Sequence, residues 1–404
     1  MPTRRTRLIA TISIAAVVVL GGGAAAFALM QRPAAEPAPT AQPRQTPPPP
    51  TAEPEPEQPQ PIRVIAMGDM LPHDTVNLNA QIDGGWDYGR FFDGIRPQLD
   101  AADVTFCNQE VPSAGVDFGV SGYPVFNAPT EFARDLHASV GCDLVNLATN
   151  HAADKGPAGI AATRAAWDGL VPSAVAGANR TAEEQRTVPV FEADGVRIAL
   201  VALAEYSNAG IDGVSLNFIG DAQLVQDLMA QARAQADIVI VSTHWGTEDS
   251  HEVNGQQAAF AQQLADLGAD VVVGTGPHVL QPVTWLDRPD GGRTLVWYSI
   301  GNMLSSQLAL DQLTGVIAGF ELVRDEASGT VRVENPTAIL TYMHYDWSPE
   351  QEAAGDLLAR TNLSITPLAD SDELLARTRF GVTAAQQAEA SAAILGPEVT
   401  VLQR

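Results

Sequence analysis

The chain has 404 residues, 45% hydrophobic and 18% charged, which excludes wholesale disorder and a collagen-like repeat and leaves room for two or three domains or one large α/β fold. With 23 basic against 48 acidic side chains the formal net charge is −25, a field that repels a phosphate backbone. Nucleic acid is therefore excluded as a partner, and an anionic ligand needs local cations, most simply bound metal ions. In chain order, Arg4, Arg5 and Arg7 precede an uncharged apolar run, Leu8 to Leu29, of about bilayer length. Residues 1–30 read as a signal-anchor, with a signal peptide cleaved in the small-residue stretch Gly21 to Ala26 as the alternative, and both readings export the body. Residues 31–61, rich in Pro, Glu and Gln, read as a spacer.

From Ile62 onward Val/Ile/Ala-rich runs alternate with helical periods, the pattern of an α/β fold with buried strands. Strands are expected at Arg63–Met67, Asp103–Cys107, Asp143–Ala148, Arg197–Ala202, Ile238–Ser242, Val271–Gly274 and Leu295–Ser299. Helices are expected at Gly159–Gly169, Asp221–Ala236 and Gly255–Gly268, and longer antiparallel strands at Gly315–Val323 and Thr330–Met343. Residues 62–345 read as the main domain and 346–404 as a small, partly helical appendage. Cys107 and Cys142 lie in apolar runs, and two buried thiols or one disulfide are equally open.

Ligands in α/β sheets bind outside the carboxyl ends of strands, and five such ends here carry polar residues. They are Asp69 with His73 beyond it, Asn108-Gln109-Glu110, Asn150-His151 with Asp154 after it, His244, and His278. Each alone is ordinary turn or cap chemistry. Together they supply the hard oxygen and imidazole donors wanted by one or two Mn, Fe, Zn or Mg ions. His251 is a weaker candidate, and His137 and His344 lack the placement. The chain has no G-x-S-x-G elbow and no phosphate-binding G-x-x-x-x-G-K-[ST] loop.

At Met67-Gly68-Asp69-Met70, Asn108-Gln109-Glu110, Thr149-Asn150-His151-Ala152-Ala153-Asp154, Thr243-His244-Trp245-Gly246, Pro277-His278-Val279-Leu280-Gln281 and Tyr298-Ser299-Ile300-Gly301-Asn302, the chain resembles the CapA family. These are capsule and poly-γ-glutamate synthesis proteins of the calcineurin-like metallophosphoesterase superfamily, and the likeness runs from about Ile62 to Met343. The resemblance implies a four-layer α/β/β/α sandwich of two mixed sheets and work outside the cytoplasm on an anionic envelope polymer or a phosphoester, within a membrane synthesis or export complex. It implies Asp69, Glu110, Asn150, His244 and His278 as metal ligands, His151 and Asp154 as the catalytic pair, and Asn108 and Asn302 as substrate contacts. Two departures stand out: the superfamily's D-x-H becomes Asp69-Met70-Leu71, and its H-P-H becomes Gly276-Pro277-His278. His73 or His251 are the substitutes for the absent ligands. A metal-dependent hydrolase is the expected activity, with a non-catalytic polymer-binding or scaffolding subunit as the competing reading.

Overall fold

Side chains on a pleated strand alternate between faces, so apolar runs without alternation are strands covered on both sides. That is the case for most of the expected strands in the computed structural model of the protein, which describes residues 60–171, 173–325 and 327–404. The anchor over 1–30 and the spacer up to residue 59 lie outside the described residues. The strands are β1 (Ile62–Met70), the short hairpin β2 (Gln81–Ile82) and β3 (Gly85–Trp86), β4 (Val104–Gln109), β5 (Leu144–Asn146) and β6 (Ala174–Ala176). They continue as β7 (Val190–Ala193), β8 (Val196–Ala204), β9 (Ile238–His244), β10 (Val271–Thr275), β11 (Val283–Asp287), β12 (Arg293–Trp297) and β13 (Asn302–Leu304). The last four are β14 (Thr314–Arg324), β15 (Val331–Asp346), β16 (Thr361–Pro367) and β17 (Thr400–Leu402).

Two mixed sheets result. The first has the order β16-β15-β14-β1-β4-β5-β6, with β13 also beside β1 and β17 beside β15; the second runs β11-β12-β10-β9-β8-β7. Strands β1, β4, β5 and β6 are parallel in the first, and β8, β9, β10 and β12 in the second. Along β8 the alternation separates two cores. Ile198, Leu200, Ala202 and Ala204 join the large core that holds Val64, Ala66 and Phe106 of the first sheet. Ala199, Val201 and Leu203 turn instead to Leu224, Leu228, Phe260 and Leu264 of the helices Ala222–Gln235 and Gly255–Asp266. The helix Gly156–Asp168 rests on the first sheet through Ile160 and Trp167, whose Nε1 donates to Gln109 Oε1 at 2.9 Å.

The C-terminal segment departs from expectation. Residues 346–404 contain the expected helical turns, including Ala384–Leu395, but β16 and β17 extend the first sheet on β15. Leu363, Ile365, Leu368 and Leu395 enter the main core, so the segment is part of the one described body and not an appendage. Its alternating Leu363, Ile365 and Pro367 are too few to announce a strand by periodicity.

Cys107 and Cys142, both fully buried, are joined in a disulfide that ties β4 to the start of β5 across 35 residues. Loop-closure entropy for that span corresponds to about 3–4 kcal/mol. Replacing both cysteines by alanine is expected to lower unfolding free energy by roughly that amount, read by denaturant melts under non-reducing conditions, and an unchanged midpoint would contradict it.

Candidate metal centre

The parallel strands of both sheets deliver their carboxyl ends to one place. Asp69 sits at the end of β1, where Gly68 lets the chain approach Gly301 so closely that a Cβ would lie 1.9 Å from the Gly301 carbonyl oxygen. Asp69 is fully buried: Oδ1 accepts from Asn108 Nδ2 at 2.7 Å, and Oδ2 accepts from the Gly276 N–H at 3.2 Å. From the other sheet, His278 places Nδ1 3.0 Å from Asp69 Oδ2 and 3.1 Å from Asn302 Oδ1. Two acceptors on one nitrogen fix the proton on Nδ1 and leave Nε2 facing Glu110, 3.9 Å from its Oε1. His278 holds this position with φ 63°, a left-handed backbone that is uncommon for a residue with a Cβ and that clusters at functional sites. His244, the last residue of β9, has Nδ1 3.0 Å from Thr275 Oγ1 and Nε2 3.7 Å from Glu110 Oε1.

Glu110 is the centre of the arrangement. Its side chain is buried and neither carboxylate oxygen has a hydrogen-bond partner. Asn150 Oδ1 is orphaned in the same way, and the Thr149 hydroxyl beside it donates to the Glu110 carbonyl oxygen at 2.6 Å. A buried carboxylate without donors is costly unless a cation meets it. Ligand atoms of Asp69, Glu110 and His278 lie within 4.8 Å of one another, and the oxygen and imidazole donor set suits a divalent transition metal or Mg.

The electrostatics agree. Burial, and then the Asp69 charge, push the Glu110 carboxyl well above its ordinary value. Burial would raise Asp69 too, but the His278 hydrogen bond and charge, with help from His244 and the Gly276 N–H, hold it below. Burial works against a charged His278, yet Glu110 and Asp69 outweigh it and push the ring up to about 10. His244 is driven down to about 4 by burial despite the attraction of Asp69. In the metal-free protein, then, the His278 imidazolium occupies the electrostatic role of a cation.

His151 lies beside this cluster as half of a dyad. Its Nδ1 is 2.8 Å from Asp154 Oδ2, which also accepts the Phe126 N–H at 2.7 Å, and its Nε2 is 3.2 Å from Asn208 Nδ2. The Phe126 ring stands edge-on to His151 at 4.6 Å and to His73 at 5.3 Å. An imidazole whose inner nitrogen is fixed by a carboxylate presents its outer nitrogen for proton transfer.

Asp69, Glu110, His244 and His278 are thus brought together, Asn150 follows Thr149, which holds the Glu110 backbone, and His151–Asp154 stand as a pair. Asn108 and Asn302 are engaged within the site itself. Asn108 spends its amide on Asp69 and accepts from Asn146 Nδ2 at 2.5 Å, while Asn302 holds His278 and donates to Gln307 and to the Gln312 carbonyl. His251 is not in the cluster, because Nδ1 donates to the Leu280 carbonyl at 2.7 Å and Nε2 faces Asp311 at 3.5 Å. His73 is driven down to about 3 chiefly by burial, with Nδ1 3.0 Å from the Leu71 carbonyl oxygen, and it belongs to the Phe126 wall. Sequence reasoning missed Asn208, Phe126, Thr275 and Asn146. Of these Thr275 and Asn146 stand at strand ends, closing β10 and β5.

Gly276 explains the missing histidine. It has φ 104°, and a Cβ there would lie 2.9 Å from the Trp245 carbonyl oxygen and 3.2 Å from His244 Nε2. A side chain has neither the backbone nor the room, so position 276 contributes no imidazole ligand.

The family model described as "Bacterial capsule synthesis protein PGA_cap" matches residues 63–307. The PGA biosynthesis protein CapA of Bacillus subtilis (strain 168) is 29% identical over 168 residues, 41% of this chain and 43% of its own length. The Capsule biosynthesis protein CapA of Bacillus anthracis is 32% identical over 174 residues, 41% of each chain. The match therefore spans less than half the length of either relative. Among solved structures, a hypothetical protein from Thermus thermophilus aligns at 17% identity and TM-score 0.42, over 69% of this chain and 98% of that one. The purple acid phosphatase PPD1 from yellow lupin (Lupinus luteus) seeds aligns at 12% identity and TM-score 0.36, over 71% and 55%. Likeness at that level carries no argument, and the fold rests on the sheet topology above.

Proposed function

Because the chain belongs to the family of bacterial capsule synthesis proteins described as PGA_cap, we propose that it is a metal-dependent hydrolase acting in the synthesis, release or anchoring of a capsule polymer such as poly-γ-glutamate. The single observation that carries this reading is Glu110, buried with both oxygens unpartnered between His244, His278 and Asp69. Asp69, Glu110, His244 and His278, with Asn150, would hold the ion, which when bound polarises the electrophile and lowers the pKa of a water. Asn108 and the Gly276 N–H orient Asp69, Thr275 and Asn302 orient the two imidazoles, and His151 protonates the leaving group while Asp154 fixes its tautomer.

The reading includes a place of work outside the cytoplasm, with residues 1–30 as a membrane anchor and a synthesis or export complex as partner. The buried Cys107–Cys142 disulfide supports export, since structural disulfides persist in oxidising compartments. No helix among the described residues is long and apolar enough to cross a membrane.

The test is elemental analysis of the purified protein together with turnover of poly-γ-glutamate and of simple phosphate esters. About one divalent ion per chain is expected, with turnover lost on chelation and restored by the metal. A protein that releases polymer fragments with no metal bound, or that takes up no ion at all, would overturn the reading. Metal binding without turnover of either substrate would point to the polymer-binding subunit, which the loss of a ligand at Gly276 favours.

A further inference from the structure

A protein of net charge −25 that handles a polyanion needs a cation where the polymer lies, and the ion at Glu110 neutralises only the reacting centre. Among the described residues several arginines are committed to carboxylates, such as Arg63 to Asp103, Arg197 to Asp237, and Arg233 and Arg288 to Asp270. Its one lysine is not. Lys155 follows the His151–Asp154 dyad directly, and its Nζ donates to Ser121 Oγ at 3.1 Å, with no carboxylate oxygen within 4.0 Å among the described residues.

That contact leads back to the reacting centre in three steps. Ser121 Oγ donates to the Val125 carbonyl at 2.6 Å, the next residue is Phe126, and its N–H is held by Asp154, the partner of His151. Lys155 therefore pins the tip of the loop Ser121–Phe126 beside the dyad. The outer side of that tip is apolar and uncovered: Tyr123 is 75% and Val125 47% exposed. A half-buried lysine that anchors a loop carrying an exposed aromatic ring can receive a charged group on a chain whose backbone runs over an apolar surface.

We propose that Lys155, with Tyr123 on the loop that it anchors, forms a carboxylate-binding subsite that holds one side-chain carboxylate of a polycarboxylate strand as the strand's backbone enters the metal centre. This rests on the hydrolase reading and names the class of substrate that the site accepts. The ammonium exchanges its hydroxyl partner for the carboxylate, and the Tyr123 ring covers the chain on the solvent side. A phosphate monoester, which lacks neighbouring carboxylates, gains nothing from this subsite.

The test uses the full chain loaded with metal, with poly-γ-glutamate of defined length and a small aryl phosphate as probes. Lys155→Met is expected to weaken binding of the polymer at least about tenfold and to flatten its salt dependence, while metal content and the KM for the aryl phosphate stay within about twofold of the parent. Lys155→Arg is expected to restore most of the affinity, which a merely structural role of the side chain would not require. Tyr123→Ala, at an exposed position, is expected to weaken binding of the polymer by a smaller factor. Parent-like polymer binding by metal-loaded Lys155→Met overturns the subsite and leaves the hydrolase standing. A parent that holds no metal and binds no polymer overturns the subsite together with the reading on which it rests.

Discussion

Changing Glu110 to Gln is expected to strip the divalent ion from the protein while leaving the metal-free fold at least as stable as the parent. The two effects have opposite signs because the same carboxylate has opposite consequences in the two states. With an ion present it is a ligand, and since changes to groups that merely orient ligands cost about 10–100-fold in affinity, loss of the ligand itself should cost at least about 100-fold. Without an ion it is a buried group with two unpartnered oxygens, a situation that costs about 1–3 kcal/mol and that a neutral amide relieves in part. The melting temperature of chelated Glu110→Gln should equal or exceed that of the chelated parent. A large drop would make Glu110 a structural residue and sink the metal centre.

The pH dependence follows from the same groups. His278 is raised to about 10, so its proton contributes stability that is complete below the ordinary 6.5 and lost as pH climbs through about 10. Glu110 is raised as well, so the metal-free parent also loses stability as pH rises above 4.5. Asp69 is lowered and acts at the other end, contributing stability above 3.8 that is lost on acidification. Metal binding through His278 Nε2 must expel the proton there, so affinity should rise with pH, by about tenfold per unit below the folded-state value. Calorimetric titrations in buffers of different ionisation enthalpy report that proton release directly.

Most of this centre was legible because it obeys one rule. Asp69, Glu110, Asn150, His151, His244 and His278 all lie at or just past the carboxyl ends of buried strands, and strand ends are where an α/β sheet exposes its chemistry. Apart from Thr275 and Asn146, which end β10 and β5, the residues that escaped notice obey no local rule. Asn208 reaches His151 from a loop 57 residues away, and Phe126 does so from the segment Ser113–Ala128, whose course is set by side-chain bonds such as Asn127 to Gly115 and Gly119. For Asn108 and Asn302 only the contacts show that their amides engage Asp69 and His278. The C-terminal strands failed for a physical reason too: β17 is three residues long and half exposed, so its pairing with β15 is a tertiary fact with no periodicity behind it.

Replacing His151 by Ala should leave the bound metal in place and remove most of the turnover. His151 makes no hydrogen bond or ion pair with Asp69 or Glu110; its nitrogens go to Asp154 at 2.8 Å and Asn208 at 3.2 Å. Its absence therefore takes no ligand from the ion. A positioned acid or base contributes about 10²–10⁴-fold, and kcat should fall by that factor with metal content unchanged. Asp154→Asn makes the argument sharper. The amide can still accept the Phe126 N–H and so hold the loop, but it no longer provides a carboxylate to fix the proton on His151 Nδ1 and to stabilise the ring when charged. It should lose less than His151→Ala, and in the double variant the second change should add little, because each acts through the other. Additive losses would separate the two residues, and a His151→Ala protein that keeps its metal and turns over polymer like the parent would move the proton donor elsewhere in the site.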